Sequence, residues 1–220
     1  TPPDVADICV LDALIRYPEA VVSDVASVKL AVLEGVVEEA ERRGLDITSR
    51  YVGSHPMAGR ERSGAGAADA DLFYGRPWVI VPSPTSSPDA VMRIRSLAGD
   101  VGAFPIEMDA STHDQSVALI SHVPQLVSSM FAARLADAPV SALSLSGQGL
   151  RDTTRIAASD PRLWTAILAG NAGPVVKVLK DIRGDLDDLI SHLDTAAHEG
   201  PLEGGSVGAV YRVMDQGNRG

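Results

Sequence analysis

Aromatic residues are scarce, making up 4% of the 220 positions. The core must therefore be aliphatic, built from Ala, Val, Leu and Ile, because hydrophobic residues still reach 45%. That share is too high for a disordered chain. Basic charge is also in short supply. Lys and Arg total 19 against 29 Asp and Glu, a formal net charge of −10, with a pI near 4.8. Nucleic acid and anionic membrane are excluded as partners, since both are held through a basic surface. An anionic small molecule would need local arginines acting against the overall field. No apolar run approaches the roughly 18 residues of a membrane span. Residues 1–20 show no basic segment ahead of an apolar stretch, so no secretory leader is expected there. Cysteine is nearly absent. Cys9 alone forms no internal disulfide, which fits a reducing cytoplasm. Within Ile8-Cys9-Val10-Leu11 it reads as a small buried residue.

Missing motifs narrow the chemistry further. The five histidines (His55, His113, His122, His192 and His198) and Cys9 show neither CxxC nor HExxH spacing, so no metal site is expected. A GxSxG elbow and a GxxxxGK(S/T) phosphate loop are absent. So is the GxGxxG turn of dinucleotide-binding folds.

The segments that are present alternate between helix and strand over the first half. The apolar spacing predicts a helix over 4–16 with Val5, Ile8, Leu11, Leu14 and Ile15 on one face. Ala20-Val21-Val22 reads as a buried strand leaving through Ser23-Asp24. A helix over 27–43 follows, closed by Gly44. Strands are expected at 51–53, 77–81 and 104–108, with a helix over 88–97. This alternation predicts a mostly parallel sheet covered by helices. Beyond about residue 112 there is no strand signal. A long helix over 114–135 should kink at Pro124. Another over 141–158 is broken at Gly147-Gln148-Gly149. Asp160-Pro161 is a helix start, and a last helix spans about 174–197. The expected organisation is an α/β domain over 1–112, an all-α domain over 113–199, and a flexible tail over 200–220, where six of 21 positions are glycine. Val175, Leu179, Ile182, Leu186, Leu189 and Leu193 recur at steps of four and three. They form a seam for another helix, either within one chain or across a subunit interface.

Four segments carry candidate chemistry. His55, in Gly53-Ser54-His55-Pro56-Met57-Ala58-Gly59, stands at the end of a strand, on the edge where open α/β sheets bind ligands. An imidazole suits a general base near neutral pH, though a loop histidine is often merely structural. Ser27, in Asp24-Val25-Ala26-Ser27-Val28-Lys29, either caps a helix or reaches the same crevice. Arg151 and Arg155 are four residues apart on one helical face. They form either an anion site or a surface ion pair with Asp152 or Glu61. On the long helix, beyond His113-Asp114-Gln115, His122 and Gln125 share a face. They either line a cavity or satisfy each other in the interior.

Taken together, five segments in order (DVASVK, GSHPMAG.E.SG, LFYGRPWVIVP, HDQSVALISHVPQ and GLRDTTRIAASDPRLW) resemble the prephenate/arogenate dehydrogenase family. The resemblance runs from Thr1 to about Leu193. It implies a Rossmann-like nucleotide-binding domain, here N-terminally incomplete, followed by an all-α helical dimerisation domain. It also implies an oxidative decarboxylation in tyrosine biosynthesis. Hydride leaves C4 of the prephenate ring for NAD or NADP, the C4 hydroxyl loses its proton, and CO2 departs as the ring becomes aromatic. By motif position, His55 takes the hydroxyl proton, Ser27 orients that group, and Arg155 binds a carboxylate. Ser54, His122, Gln125, Arg151 and Trp164 join the substrate site. Glu61, Arg151 and Asp152 form an ionic network, and Thr1, Pro2, Asp24 and Ser27 lie toward the cofactor. No metal is implied. The family's strand, GxGxxG turn and helix precede the position matched by Thr1 and are not in this sequence. The chain is therefore expected to be part of a longer one or to hold cofactor poorly. NAD and NADP are not distinguished, because the residue that selects between them lies in that segment. Prephenate and arogenate are not distinguished either. Tyrosine is an expected inhibitor, a homodimer the expected assembly and the cytoplasm the expected location. The alternative of a different class is a non-catalytic, tyrosine-binding dimer module.

Overall fold

In a computed structural model, which describes residues 3–59, 64, 66, 68–199 and 205–219, the chain enters through a 3-10 turn, Pro3–Val5, into helix α1, Ala6–Arg16. Helix α1 turns Ala6, Val10, Leu11 and Leu14 inward. The expected face is thus rotated. Val5, Ile8 and Ile15 are exposed, Ile8 at 65%, and Cys9 is exposed rather than buried. The physical reason is small-residue packing. Ala6 and Val10 fit against Val28, Val32 and Val36 in one aliphatic cluster, with Tyr51 and Ile167. Helix α2, Leu30–Arg42, approaches α1 closely at Gly35, where a Cβ would lie 2.7 Å from Asp7 Oδ2.

Three strands form one sheet in the order β1 (Val52–Pro56), β2 (Pro77–Pro82), β3 (Phe104–Glu107). β2 and β3 are parallel, as is the single bridge between Val22 and Tyr51. β1 and β2 are antiparallel. The sheet is therefore mixed where a mostly parallel one was expected. The connection between β1 and β2 carries no α-helix among its described residues, and a parallel return would ordinarily require such a crossover. Trp78 and Ile80 pack with Val52 against Ala90, Ile94 and Ala98 of helix α3, Pro88–Asp100. Val79 and Val81 face the other way, toward Ala110. Ser87 caps α3 by accepting from Ala90 N at 3.2 Å.

The change from strand to helix falls just after β3. Asp109 caps helix α4, Ala110–Val117, accepting from Thr112 N at 2.9 Å. A π-helical turn, Ala118–His122, joins α4 to α5, Val123–Ala133. The kink expected at Pro124 takes this form: proline removes one N–H and crowds the preceding turn, and the wider turn absorbs both effects. Short helices α6 (Val140–Leu143) and α7 (Gln148–Thr154) lead through a 3-10 turn, Arg155–Ala158, into α8, Pro161–Gly170. Asp160 caps α8 by accepting from Arg162 N. Ile167 of α8 joins the first aliphatic cluster.

Helix α9, Ala172–Glu199, and helix α10, Gly205–Arg219, follow. The chain divides into two compact units, Thr1–Val175 and Val176–Gly220. Of the flexible tail expected over 200–220, residues 205–219 form α10. Ala209, Val210, Val213 and Met214 give that segment an apolar helical stripe, and Ala209 is buried. Along the α9 seam, Val175 is buried while Ile182, Leu186 and Leu193 are exposed.

The inward face of α1 is testable by a matched pair of truncations. Leu14→Ala, at a position of 0% exposure, should cost about 2–5 kcal/mol in urea denaturation. Ile8→Ala should stay within about 0.5 kcal/mol. Equal losses would contradict the observed rotation of the helix.

Candidate active site

Strand register aims the site. His55 pairs with Val79 across β1 and β2, and Ser54 pairs with Ile80. Directly opposed residues share a sheet face and neighbours alternate. His55 therefore projects with Val79 toward α4, and Ser54 projects with Ile80 to the opposite face.

Below the sheet edge lies a buried polar knot. Lys29 is 1% exposed and pairs with Asp24. The same Asp24 carboxylate accepts from Ala26 N at 2.9 Å and from the Tyr51 hydroxyl at 2.7 Å. Burial lowers the Lys29 ammonium's pKa, and Asp24 offsets part of that shift. Burial and Asp24 together push the Tyr51 phenol upward. The N-terminus of α2 is capped from outside: Asp114 of α4 accepts from Lys29 N at 2.9 Å and Leu30 N at 3.0 Å. Ser27, the alternative cap, makes no such bond.

Ser27 instead lines a cavity of about 400 Å³ together with His55, His122, Gln125, Arg155 and Trp164. Six residues expected to share a site from their motifs thus meet in one space, drawn from the sheet edge, the π turn, α5, the turn after α7, and α8. A groove of about 650 Å³ between α1 and α2 is larger, but it is lined by acidic and basic side chains with Gly35, Ile8, Leu11 and Ile15, and by none of the candidate residues. Arg155 is exposed and makes no ion pair among the described residues, which leaves its guanidinium available for an anion. His122 meets the Trp164 ring edge-on at 6.1 Å. Gln125 donates to Ile156 O at 2.9 Å and Ser128 to Thr153 O at 2.7 Å, so α5 braces the turn that carries Arg155. Both cavity imidazoles are held neutral. His55 is lowered to about 3, first by burial and then by His113, Lys29 and His122. His122 is lowered to about 4, chiefly by burial.

Other expected residues fall elsewhere. Ser54 is fully buried away from the cavity, donating to Asp24 O at 2.8 Å and accepting from Ser23 Oγ at 3.0 Å. Asp24 is engaged inside the protein by Lys29, Ala26 and Tyr51, so its carboxylate has little capacity left for a cofactor. Arg151 and Asp152 are exposed on α7 outside the cavity lining, and Asp152 accepts from Gln148 at 2.7 Å. Glu61, Thr1 and Pro2 lie outside the described residues. Motif reading also missed four contributors. His113 and Asp114 stand in the quoted HDQ segment, but nothing in their spacing tied them to His55. Asn171 carried no signal at all. Lys29 ends the DVASVK segment, where a lysine ordinarily reads as solvent-exposed.

Residues for a nicotinamide cofactor can be judged from a hollow of about 210 Å³ beside the Val22–Tyr51 bridge. It is lined by Ala6, Cys9, Val10, Ala13 and the stretch from Val22 to Ala26. Small side chains at a strand end, next to Ser27, suit a flat ring, so the residues present fit that end of the group.

The sheet and the helices that follow it make a Rossmann-like α/β part followed by an all-α part. Matches to known proteins agree. The nucleotide-binding domain of prephenate dehydrogenase matches residues 1–107, and the dimerization domain of prephenate dehydrogenase matches residues 109–203. The chain belongs to the prephenate dehydrogenase family. It is 37% identical over 201 residues to a Streptomyces niveus protein named as a probable prephenate dehydrogenase, NovF, covering 89% of this chain and 54% of that protein. It is 30% identical over 182 residues to the Bacillus subtilis prephenate dehydrogenase, covering 80% of this chain and 47% of that one. The chain thus spans about half the length of the curated relatives it matches. Among solved structures, the Synechocystis arogenate dehydrogenase is 29% identical with a TM-score of 0.76, covering 99% of this chain and 74% of that one. The Aquifex aeolicus prephenate dehydrogenase in complex with hydroxyphenyl propionate and NAD+ shares the fold, at a TM-score of 0.81 and 24% identity, covering 100% of this chain and 74% of that one.

The depressed imidazoles set an acid dependence of stability. A histidine whose folded pKa lies below its unfolded value binds more protons unfolded, so stability falls as pH drops through the interval between the two. For His55 that interval runs from 6.5 down to about 3. Lowering pH from 7 to 5 should remove about 2 kcal/mol through His55, read from urea melts at both values. His55→Asn should show a correspondingly smaller loss. An unchanged loss would contradict the buried neutral imidazole.

Proposed function

We propose that the chain is the catalytic part of a prephenate dehydrogenase. In this reading, residues 1–112 are the remainder of the dinucleotide-binding domain and residues 113–199 form the substrate-binding and dimerisation domain. The observation that carries it is the meeting of His55, Ser27 and Arg155 around one cavity. The substrate is a ring bearing a hydroxyl at one end and a carboxylate at the other. In a protein of net charge −10 a placed guanidinium is needed to hold a dianion, and Arg155 supplies a bidentate donor. His55, neutral and shielded, takes the hydroxyl proton as charge builds on that oxygen. Ser27 sits on the same wall and orients the group. Trp164 and Ile167 keep water from the ring. When bound, the nicotinamide cofactor accepts hydride from the carbinol carbon. Loss of CO2 follows from aromatisation, so positioning is the protein's main task. Nothing in the cavity separates NAD from NADP, and arogenate fits the same description as prephenate.

The test is NAD(P)H formation from prephenate and from arogenate by the full protein. His55→Asn should lower kcat by about 10²–10⁴-fold with KM nearly kept, as expected for a lost general base. Arg155→Ala should mainly raise KM, by about 10- to 100-fold, as expected for a lost charge-assisted hydrogen bond. Near wild-type turnover by His55→Asn contradicts the assignment. Tyrosine binding without turnover of either substrate would favour the non-catalytic module.

The exposed seam on α9 supports a homodimer. Ile182, Leu186 and Leu193 present apolar surface at helical spacing, and isologous pairing of such a face would cover it. Sedimentation at micromolar concentration should give a dimer. Leu186→Glu with Leu193→Glu should shift it toward monomer, and a wild-type monomer would contradict the claim.

A further inference from the structure

We infer that His113, Asp114 and Asn171 are positioning residues that hold the two cavity imidazoles in opposite tautomers, His55 with a bare Nε2 and His122 with an Nε2–H. The site then requires a ligand with a hydroxyl donor at the His55 end and a hydrogen-bond acceptor at the His122 end. The tautomers stand on geometry alone. The identity of the ligand rests on the function proposed above.

The first chain of bonds starts at a carboxylate. Asp114 accepts from two backbone N–H groups, Lys29 and Leu30, at the start of α2. Asp114 Oδ1 also lies 2.7 Å from His113 Nδ1. An ionised carboxylate only accepts, so His113 carries its proton on Nδ1. A neutral imidazole has one donor and one acceptor nitrogen, so His113 Nε2 is a lone pair. That lone pair lies 2.9 Å from His55 Nδ1, which must therefore donate. His55 Nε2 is left unprotonated for the cavity that His55 lines. The fixed carboxylate thus presets, two rings away, which nitrogen can act as a base.

The second chain starts at a carbonyl. Asn171 Nδ2 lies 2.7 Å from Asp114 O and 3.0 Å from His122 Nδ1. A backbone carbonyl only accepts, so the amide nitrogen, not the oxygen, must face it. Reversing the amide would set oxygen against oxygen. The second N–H of the same amide then donates to His122 Nδ1, which leaves the proton of neutral His122 on Nε2. The orientation is held even though Asn171 Oδ1 finds no donor among the described residues. Asp114 serves both chains, one through its side chain and the other through its main chain.

Long-range proton–nitrogen NMR correlations on the chain labelled with 15N-histidine test this directly, because protonated and bare ring nitrogens resonate far apart. In the wild type at neutral pH, His55 should show Nδ1–H with a bare Nε2, and His122 the reverse. Asp114→Leu removes the acceptor that faces His113 Nδ1, and should release His113 and, through it, His55 to a mixture of tautomers. Asn171→Leu should leave His55 unchanged and release His122 to a mixture. A wild-type His55 with its proton on Nε2, or a doubly protonated His113, would overturn the inference. So would an Asp114→Leu protein that folds with His55 unchanged. Should Asp114→Leu fail to fold, the wild-type and Asn171→Leu spectra still decide. Correct tautomers in a protein that turns over neither prephenate nor arogenate would sink the proposed function and leave this inference standing.

Discussion

One carboxylate, that of Asp114, holds the site together. It caps a helix that belongs to the α/β half, anchors a histidine on its own helix, and through its carbonyl fixes an asparagine at the start of α9. The first and last of these join segments far apart in the chain: residue 114 reaches back to 29 and 30 and forward to 171. The cavity exists because these segments are pinned at one point. Buried polar networks of this kind are costly when half satisfied and rigid when complete. Here nearly every member has its partner.

The second constraint is electrostatic. A strongly acidic protein binding an acidic ligand must localise positive charge, and two cations lie near the site in different states. Lys29 is sealed beneath the floor and paired with Asp24, so it contributes field without contact. Arg155 stands exposed on a turn braced by Gln125 and Ser128, where a guanidinium keeps its charge and its planar fork. Between them are two neutral imidazoles, kept so by burial. In the proposed function a neutral, shielded base changes charge as the ligand loses its proton, so negative charge need not accumulate in the cavity.

Much of this was legible in the sequence, for identifiable reasons. Helix starts at Ser87-Pro88 and Asp160-Pro161 follow from local capping chemistry and need no tertiary information. The meeting of Ser27, His55, His122, Gln125, Arg155 and Trp164 followed from ordered motifs. What was not legible depends on partners. The inward face of α1 is set by the valines of α2, and Ala6 packs inward although Ile8 is the more hydrophobic residue. Ser54 and His55 are adjacent, and only the pairing of β1 with β2 decides which one faces the cavity. Asp24 looks like a cofactor contact until the buried Lys29 is seen to occupy it. His113 reads as a polar residue on a helix until β1 sets His55 beside it. The glycine-rich C-terminal segment reads as a tail because composition conceals the apolar stripe of α10.

The central claim is that His55 and Arg155 grip opposite ends of one ring. The most direct measurement is a crystal structure of the chain with 4-hydroxyphenylpropionate, an aromatic acid carrying a phenol. The account predicts the phenolic oxygen within hydrogen-bond distance of His55 Nε2 and the carboxylate on the Arg155 guanidinium. A ligand seated in the groove between α1 and α2, or bound in the cavity with its carboxylate against His55, would contradict it.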